Sequence, residues 1–296
     1  MQSIFDLCQP RDEVLKGELR EDIFAARLKD VMDGTADPVY GDAKTFFDNT
    51  YPTEGLKTLL TDSIGRLVGD AVGKNAIVRL ETAFGGGKTH NLIALYHLAK
   101  GDVDPRALER ILGQSRVKIG ADQVRIAGVV GSDLDPTIGI YHERDDVTTY
   151  TLWGEIAYQL GGPAGYLLVA ETERTKAAPG TGLLERLVGD RPALIMIDEI
   201  ARHLRAALAV PTATGRLTLA DETVAFLMSL LEFAASKERC LVVLTLASES
   251  DAFASETSLL RQKLAETQNI TARQERVLTP TAGGEIYAIV THRLFK

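Results

Sequence analysis

The chain has 296 residues, 45% of them hydrophobic and 25% charged, enough to bury a core in one large α/β domain or two small ones. A net charge of −8 argues against a generally basic, nucleic-acid-coating surface, although it leaves room for a local basic groove. Two cysteines far apart, Cys8 and Cys240, argue against a disulfide framework or a zinc site.

The first residues, MQSIFDLCQPRDEV, turn charged before an apolar signal region develops. No apolar run nears the roughly 20 residues of a membrane span. A soluble, cytoplasmic protein with reduced thiols is expected. Residues 1–50 are polar and mixed, and one helix is predicted over about 11–32, ended by Asp33-Gly34 and Asp37-Pro38. Thr50, Pro52 and Thr53 then start a second helix, LKTLLTDSIGRLVG, with apolar residues at helical spacing. NAIVRLE (75–81) reads as a short strand, HNLIALYHLAK (90–100) as a helix and VRIAGVVGSDLD (124–135) as a second strand with a polar end. From 136 to 185 the pattern is irregular, with a helix around 152–160 followed by the connectors GGPAG and APGTG. Strand ALIMID (193–198), a helix around 220–236 and strand CLVVLTLA (240–247) complete the series.

Strands that are near-continuous apolar runs and alternate with helices predict an α/β fold with a parallel sheet covered on both faces. In such sheets ligands gather at the carboxyl ends of the strands. Four strand ends there deliver polar groups: residues 85–89, then Ser132 and Asp133, then Asp198 and Glu199, then Thr245 and Ser248.

The first of these ends is the most informative. ETAFGGGKTHNL carries the Gly-Lys-Thr tail of a phosphate-binding loop between a strand and a helix, although Thr82 stands where the motif has its first glycine. Gly85, Gly86 and Gly87 can curl their backbone N–H groups toward phosphates without a Cβ clash. Lys88 would reach the β- and γ-phosphates and Thr89 would bind Mg²⁺, with the helix N-terminus adding its positive end. The nucleotide-contacting stretch then runs from Phe84 to His90. A flexible strand–helix turn with a chance GKT is the plainer alternative.

ALIMIDEI places two carboxylates at the end of a buried strand, where uncompensated charge is costly. As a Walker B strand, it would use Asp198 on the Mg²⁺ shell and Glu199 to orient and deprotonate the attacking water. A solvated helix start rich in acids is the alternative. In LVVLTLASES a polar residue at the strand tip would lie between the loop and Asp198, placed to hold the lytic water or the γ-phosphate. Thr245 is the first choice and Ser248 the second, against a threonine that merely suits a strand. No metal site is expected from His90 and His97, which lack further ligands at metal spacing, and Trp153 is expected in the core.

This order of Walker A, Walker B, a polar fourth strand and arginines before a Pro-containing turn resembles the AAA+ superfamily of P-loop ATPases. More narrowly, FGGGKTHNLIALYHL, IMIDEIARHL and RVLTPTAGGEIYAIVTHRLF resemble a family of large bacterial ATPases of anti-phage defence islands that includes a BREX-type component. The resemblance spans most of residues 40–296. It implies a three-layer αβα P-loop NTPase fold, with a helical N-terminal segment over 1–50 and an AAA+-like core over 51–281. Residues 136–185 would be an insertion between the second and third strands, and 282–296 the start of a helical lid truncated at Lys296. An ATPase using ATP and Mg²⁺ is implied, coupled to remodelling of a protein or nucleic-acid complex in antiviral defence. A slow nucleotide-dependent switch or scaffold that signals by assembly is the alternative.

The resemblance also implies an arginine supplied by a neighbouring subunit. Arg273 or Arg276 would match it and Arg261 is a third candidate, with an ordinary surface arginine the plainer reading of each. Ser132 or Asp133 would fill the place of the residue that couples Glu199 to ligand state, with a strand cap the preferred reading. Tyr51 and Pro52 stand where such ATPases pack a linker on adenine, with a role in helix entry the equal alternative. The implied partners are further copies of the chain when a lid is present, and DNA or defence-complex proteins, with no membrane.

Overall fold

The computed structural model describes residues 8–17, 26–70, 75–81, 87–113, 119–246, 258, 260–262 and 275–295. Short helices come first: α1 (Asp12–Leu15), α2 (Leu28–Met32), α3 (Pro38–Gly41) and α4 (Ala43–Asp48). Helix α5 (Glu54–Val68), strand β1 (Ile77–Glu81), helices α6 (Lys88–Lys100) and α7 (Pro105–Leu112) and strand β2 (Arg125–Val130) follow. A hairpin of β3 (Ile140–His142) and β4 (Val147–Thr149) leads to α8 (Leu152–Thr175) and α9 (Thr181–Val188). Strand β5 (Ala193–Asp198), helices α10 (Ile200–Ala207) and α11 (Leu219–Ser236), strands β6 (Cys240–Leu246) and β7 (Glu275–Leu278) and helix α12 (Ile286–Leu294) complete the chain.

Five strands form one parallel sheet in the order β2-β5-β6-β1-β7. Side chains alternate along each strand, and the alternation sorts cleanly into two cores. Ala127, Val129, Ile195, Ile197, Val242 and Leu244 pack with Trp153, Phe226 and other residues of α8–α11. Val78, Leu80, Leu194, Met196, Leu241 and Val243 pack with residues of α2 and α4–α7. Helices therefore cover both faces of the sheet, as the apolar strand runs predict. Leu28, Phe46 and Phe47 belong to the same core as Leu80, so residues 28–48 are not set apart from the α/β unit that follows. No helix is long and apolar enough to cross a membrane among the described residues.

Three expectations about elements need correction. The helix predicted over 11–32 is not continuous: α1 ends at Leu15, and Gly17, with φ +67°, turns the chain away. Strand β2 stops at Val130 rather than 135, because after the Gly131 N–H bonds to Asp198 O the chain turns over 131–133, closed by the Asp133 N–H on Val130 O. Residues 136–185 are not irregular either, since they hold the hairpin and two helices. There GGPAG joins the two helical halves of α8, as expected of a connector, through a tight kink. Gly162 takes φ +61°, ψ −153° inside α8, and Pro163 begins the second half, where its fixed φ and missing N–H cost nothing. The halves fold back on each other, and the buried Glu173 carboxylate accepts from the Tyr150 N–H and from the N–H and hydroxyl of Thr151, the residue that caps α8.

Candidate active site

Register lines up four strand ends on one face of the sheet. Leu80 of β1 stands beside Thr245 of β6. Ile197 pairs with Leu244, so Asp198 follows beside Thr245, and Val130 of β2 pairs with Asp198. By alternation Asp198 shares the face of Leu194 and Met196, and Thr245 that of Leu241 and Val243, which is the face α6 covers. Helix α6 opens on Lys88 and Thr89 at this edge.

Three segments distant in sequence meet on one carboxylate. The Thr89 hydroxyl donates to Asp198 Oδ2 at 3.0 Å, and the Thr245 hydroxyl donates to Asp198 Oδ1. The Glu199 N–H donates to Thr245 Oγ1 at 3.1 Å. Asp198 is buried, and that burial pushes its carboxyl pKa up. The hydroxyls of Thr245 and Thr89 and the charge of Lys88 pull it down without cancelling the shift. A buried carboxylate with less than full compensation is suited to a cation. Thr89 and Asp198 offer the hard oxygen donors that Mg²⁺ takes, one or two protein ligands with the rest left to phosphate and water.

Glu199 leaves the strand through the left-handed region, φ +51°, ψ +36°, which costs a residue with a Cβ roughly 1–2 kcal/mol. That turn lets α10 begin at Ile200 directly after β5. Gly131 packs against it: its N–H donates to Asp198 O at 2.7 Å, and a Cβ there would meet Glu199 O at 2.4 Å. The Glu199 carboxylate, 39% exposed, lies 3.2 Å from Arg202 Nε on the next turn of helix.

At the start of α6, Gly87 takes φ +81°, and the Asn91 side-chain amide donates to its carbonyl at 2.8 Å. The turn over 279–281 presses on this start and on α5. A Cβ on Gly87 would meet Thr281 Oγ1 at 3.3 Å, and one on Gly55 would meet Thr279 O at 2.3 Å. Thr53, the cap of α5, donates to Pro280 O at 2.8 Å. Tyr51 lies edge-on to His292 of α12, with ring centroids 6.0 Å apart.

The structure brings together Lys88, Thr89, Asp198, Glu199 and Thr245, with Gly87 at the head of the helix. Phe84, Gly85, Gly86, Ser248 and Arg273 lie outside the described residues. Two candidates are elsewhere. The His90 side chain turns into the helical layer, where Nε2 lies 3.0 Å from Thr50 Oγ1 and the ring packs on Phe46 at 4.5 Å. Burial pushes its pKa down to about 3, so the ring is neutral and packs in the helical layer, while the His90 backbone stays in the first turn of α6. Arg276 sits mid-strand opposite Val78 and pairs with Asp62 of α5 at 2.7 Å, away from the carboxyl ends. Arg261 lies 3.4 Å from Glu81 at the end of β1.

Thr245 also departs from the expected role. Its hydroxyl proton goes to Asp198 and its oxygen accepts from Glu199, so it braces the two acids instead of standing free for water or phosphate. Asp133 pairs with Arg27 at 2.9 Å and not with Glu199. Sequence reasoning missed Gly131, Arg202 and Asn91. A glycine closing an apolar run was a readable sign for Gly131; the other two contacts depend on the local fold.

Compared with known families, residues 5–277 match the model described as the DUF499 N-terminal domain. The chain belongs to that family. No curated protein and no solved structure matches it. In this DUF499 domain the acid pair, the α6 helix start and the Thr245 brace together form the most chemically equipped part of the described sheet edge.

Proposed function

We propose that the chain binds ATP with Mg²⁺ and hydrolyses it, as an AAA+-type P-loop ATPase. The observation that carries this reading is the Thr89–Asp198–Thr245 cluster. It sets a buried carboxylate beside Lys88 at the mouth of a glycine-led helix. The parallel sheet supports it, because β6 lies between β1 and β5 and brings Thr245 between the end of β1 and the acids.

Lys88 neutralises phosphate charge, and the helix N-terminus of α6 offers backbone N–H groups to the same anion. Mg²⁺, held by Thr89 and Asp198, would supply positive charge to the phosphate oxygens. Glu199 takes the proton of the attacking water, and Thr245 fixes the peptide from which Glu199 projects. The cellular task that fits the sequence resemblance is remodelling of a protein or nucleic-acid complex in anti-phage defence.

One observation favours a second reading, a slow switch that signals by assembly. Arg202 engages the Glu199 carboxylate, which lowers its readiness as a base. Phosphate release by the wild type and Glu199→Gln separates these. Steady Mg²⁺-dependent release that falls about 10²-fold or more in the variant, with ATP binding kept, supports the ATPase. Release that is scarcely detectable in both supports the switch, and equal brisk release in both removes Glu199 from the mechanism.

A further inference from the structure

Among the described residues, strand β2 is one of the two edge strands of the sheet, the other being β7. The N–H groups of Arg125 and Gly131 face β5, since they donate to Pro192 O and Asp198 O. By alternation the peptide groups of Ile126, Gly128 and Val130 face outward. One side chain takes both outward groups of Gly128. Its N–H donates to Gln159 Oε1 at 2.7 Å, and Gln159 Nε2 donates back to Gly128 O at 3.1 Å. A primary amide from α8 thus makes the two bonds that a residue of a neighbouring strand would make.

A groove of about 510 Å³ runs along this edge. Helices α2 and α6 form one wall with Met32, Tyr96 and Lys100, and α8 and the β3–β4 hairpin form the other with Tyr158 and His142. The His142 ring stacks on Tyr158 at 3.7 Å, and its Nε2 lies 2.9 Å from Glu155. The lining is acidic: Asp33, Asp122, Asp133 and Glu155 face only Lys29 and Lys100 among the groove's carboxylates and ammonium groups. Both lysines are already engaged, Lys29 by Asp33 at 2.7 Å and Lys100 by Asp102 at 3.4 Å. Asp133 gives Oδ1 to Arg27, while its Oδ2 is buried without a hydrogen-bond partner.

We propose that this groove binds an extended basic peptide segment, which adds to β2 as a further strand, and that Gln159 holds the middle rung until the peptide displaces it. Val130 O already accepts from the Asp133 N–H at 3.0 Å, so the added strand would pair with Ile126 and Gly128, and the stand-in amide at Gly128 shows that such a partner fits. Alternate side chains of the added strand would meet the two walls. Arginine suits them, because its guanidinium forks onto carboxylates and lies over tyrosine rings. A net charge of −8 draws a basic segment toward the chain.

The test is fluorescence anisotropy of the full chain with a labelled short peptide alternating arginine and valine. A matching peptide of glutamate and valine, the arginine peptide with alternate amides N-methylated, and spermine serve as controls. The arginine peptide should bind at least about tenfold more tightly than the glutamate peptide. N-methylation should abolish binding, since it removes the ladder donors. Gln159→Ala should tighten binding severalfold by removing the competing amide, and Asp133→Asn should weaken it. Equal binding of the two peptides, displacement by spermine as readily as by unlabelled peptide, or indifference to N-methylation would overturn the proposal. The last comparison needs no protein variant, so it stands even where Gln159→Ala does not fold.

Discussion

Asp198 stands in an environment that resists its charge, and its two threonine donors and the nearby Lys88 only partly offset that cost. A carboxyl raised above its ordinary 3.8 gives the folded state more bound protons than the unfolded state. Stability from this group is therefore full below pH 3.8 and is lost as pH rises through the raised value. Asp198→Asn removes that loss at neutral pH, and both threonine hydroxyls can turn to suit an amide. The ligand-free variant should melt above wild type at pH 7, with the gap closing toward pH 4. Mg²⁺-ATP at a hundredfold excess over Kd should stabilise wild type by about 2.7 kcal/mol and leave the variant unmoved. Thermal unfolding followed by intrinsic fluorescence checks both, and a ligand-free variant that melts lower would contradict the reading of Asp198. Lys88, Thr89, Asp198, Glu199 and Thr245 were legible because reactive side chains at the ends of apolar runs are conspicuous. The bracing role of Thr245 was not, since it comes from register between β5 and β6. The direction of the His90 ring was not legible, because adjacency to the loop says nothing of which way a helical side chain turns.

At the scale of elements, the junction of β5 and α10 sets where the site acids point. Glu199 holds a left-handed conformation without the relief a glycine would give, and Gly131 of the neighbouring strand end fits closely beneath it. Gly131→Ala would press a methyl into the Glu199 carbonyl. It should destabilise the fold by about 1–3 kcal/mol and slow phosphate release while ATP affinity stays close to wild type. Urea unfolding and a release assay measure the two effects, and a variant with normal turnover would separate this turn from the chemistry. The main sheet strands β1, β2, β5 and β6 were readable from apolar runs, and α5 from its Thr53 cap and helical spacing. Within 136–185 the helix from 152 and its break at Gly-Gly-Pro were readable, while strands β3 and β4, three residues each, are too short to show an alternation. Strand β7 escaped notice for another reason. It is short and lies at the sheet edge, where Arg276 and Val277 can face outward, so it lacks the apolar run of an inner strand.

For the whole molecule, a parallel sheet between two helical layers gathers polar groups at one edge, and the chain's DUF499 family membership rests on nearly all of its length. The central claim is that this edge binds ATP through Lys88 together with Thr89 and Asp198. The most direct measurement is titration of a fluorescent ATP analogue into wild type and Lys88→Ala, with and without Mg²⁺. Saturable, Mg²⁺-dependent binding by wild type is predicted. Lys88→Ala should weaken it about a hundredfold, the scale of a lost charge-assisted contact of roughly 3 kcal/mol. Equal affinity of the two proteins, or no binding by wild type, would contradict the account.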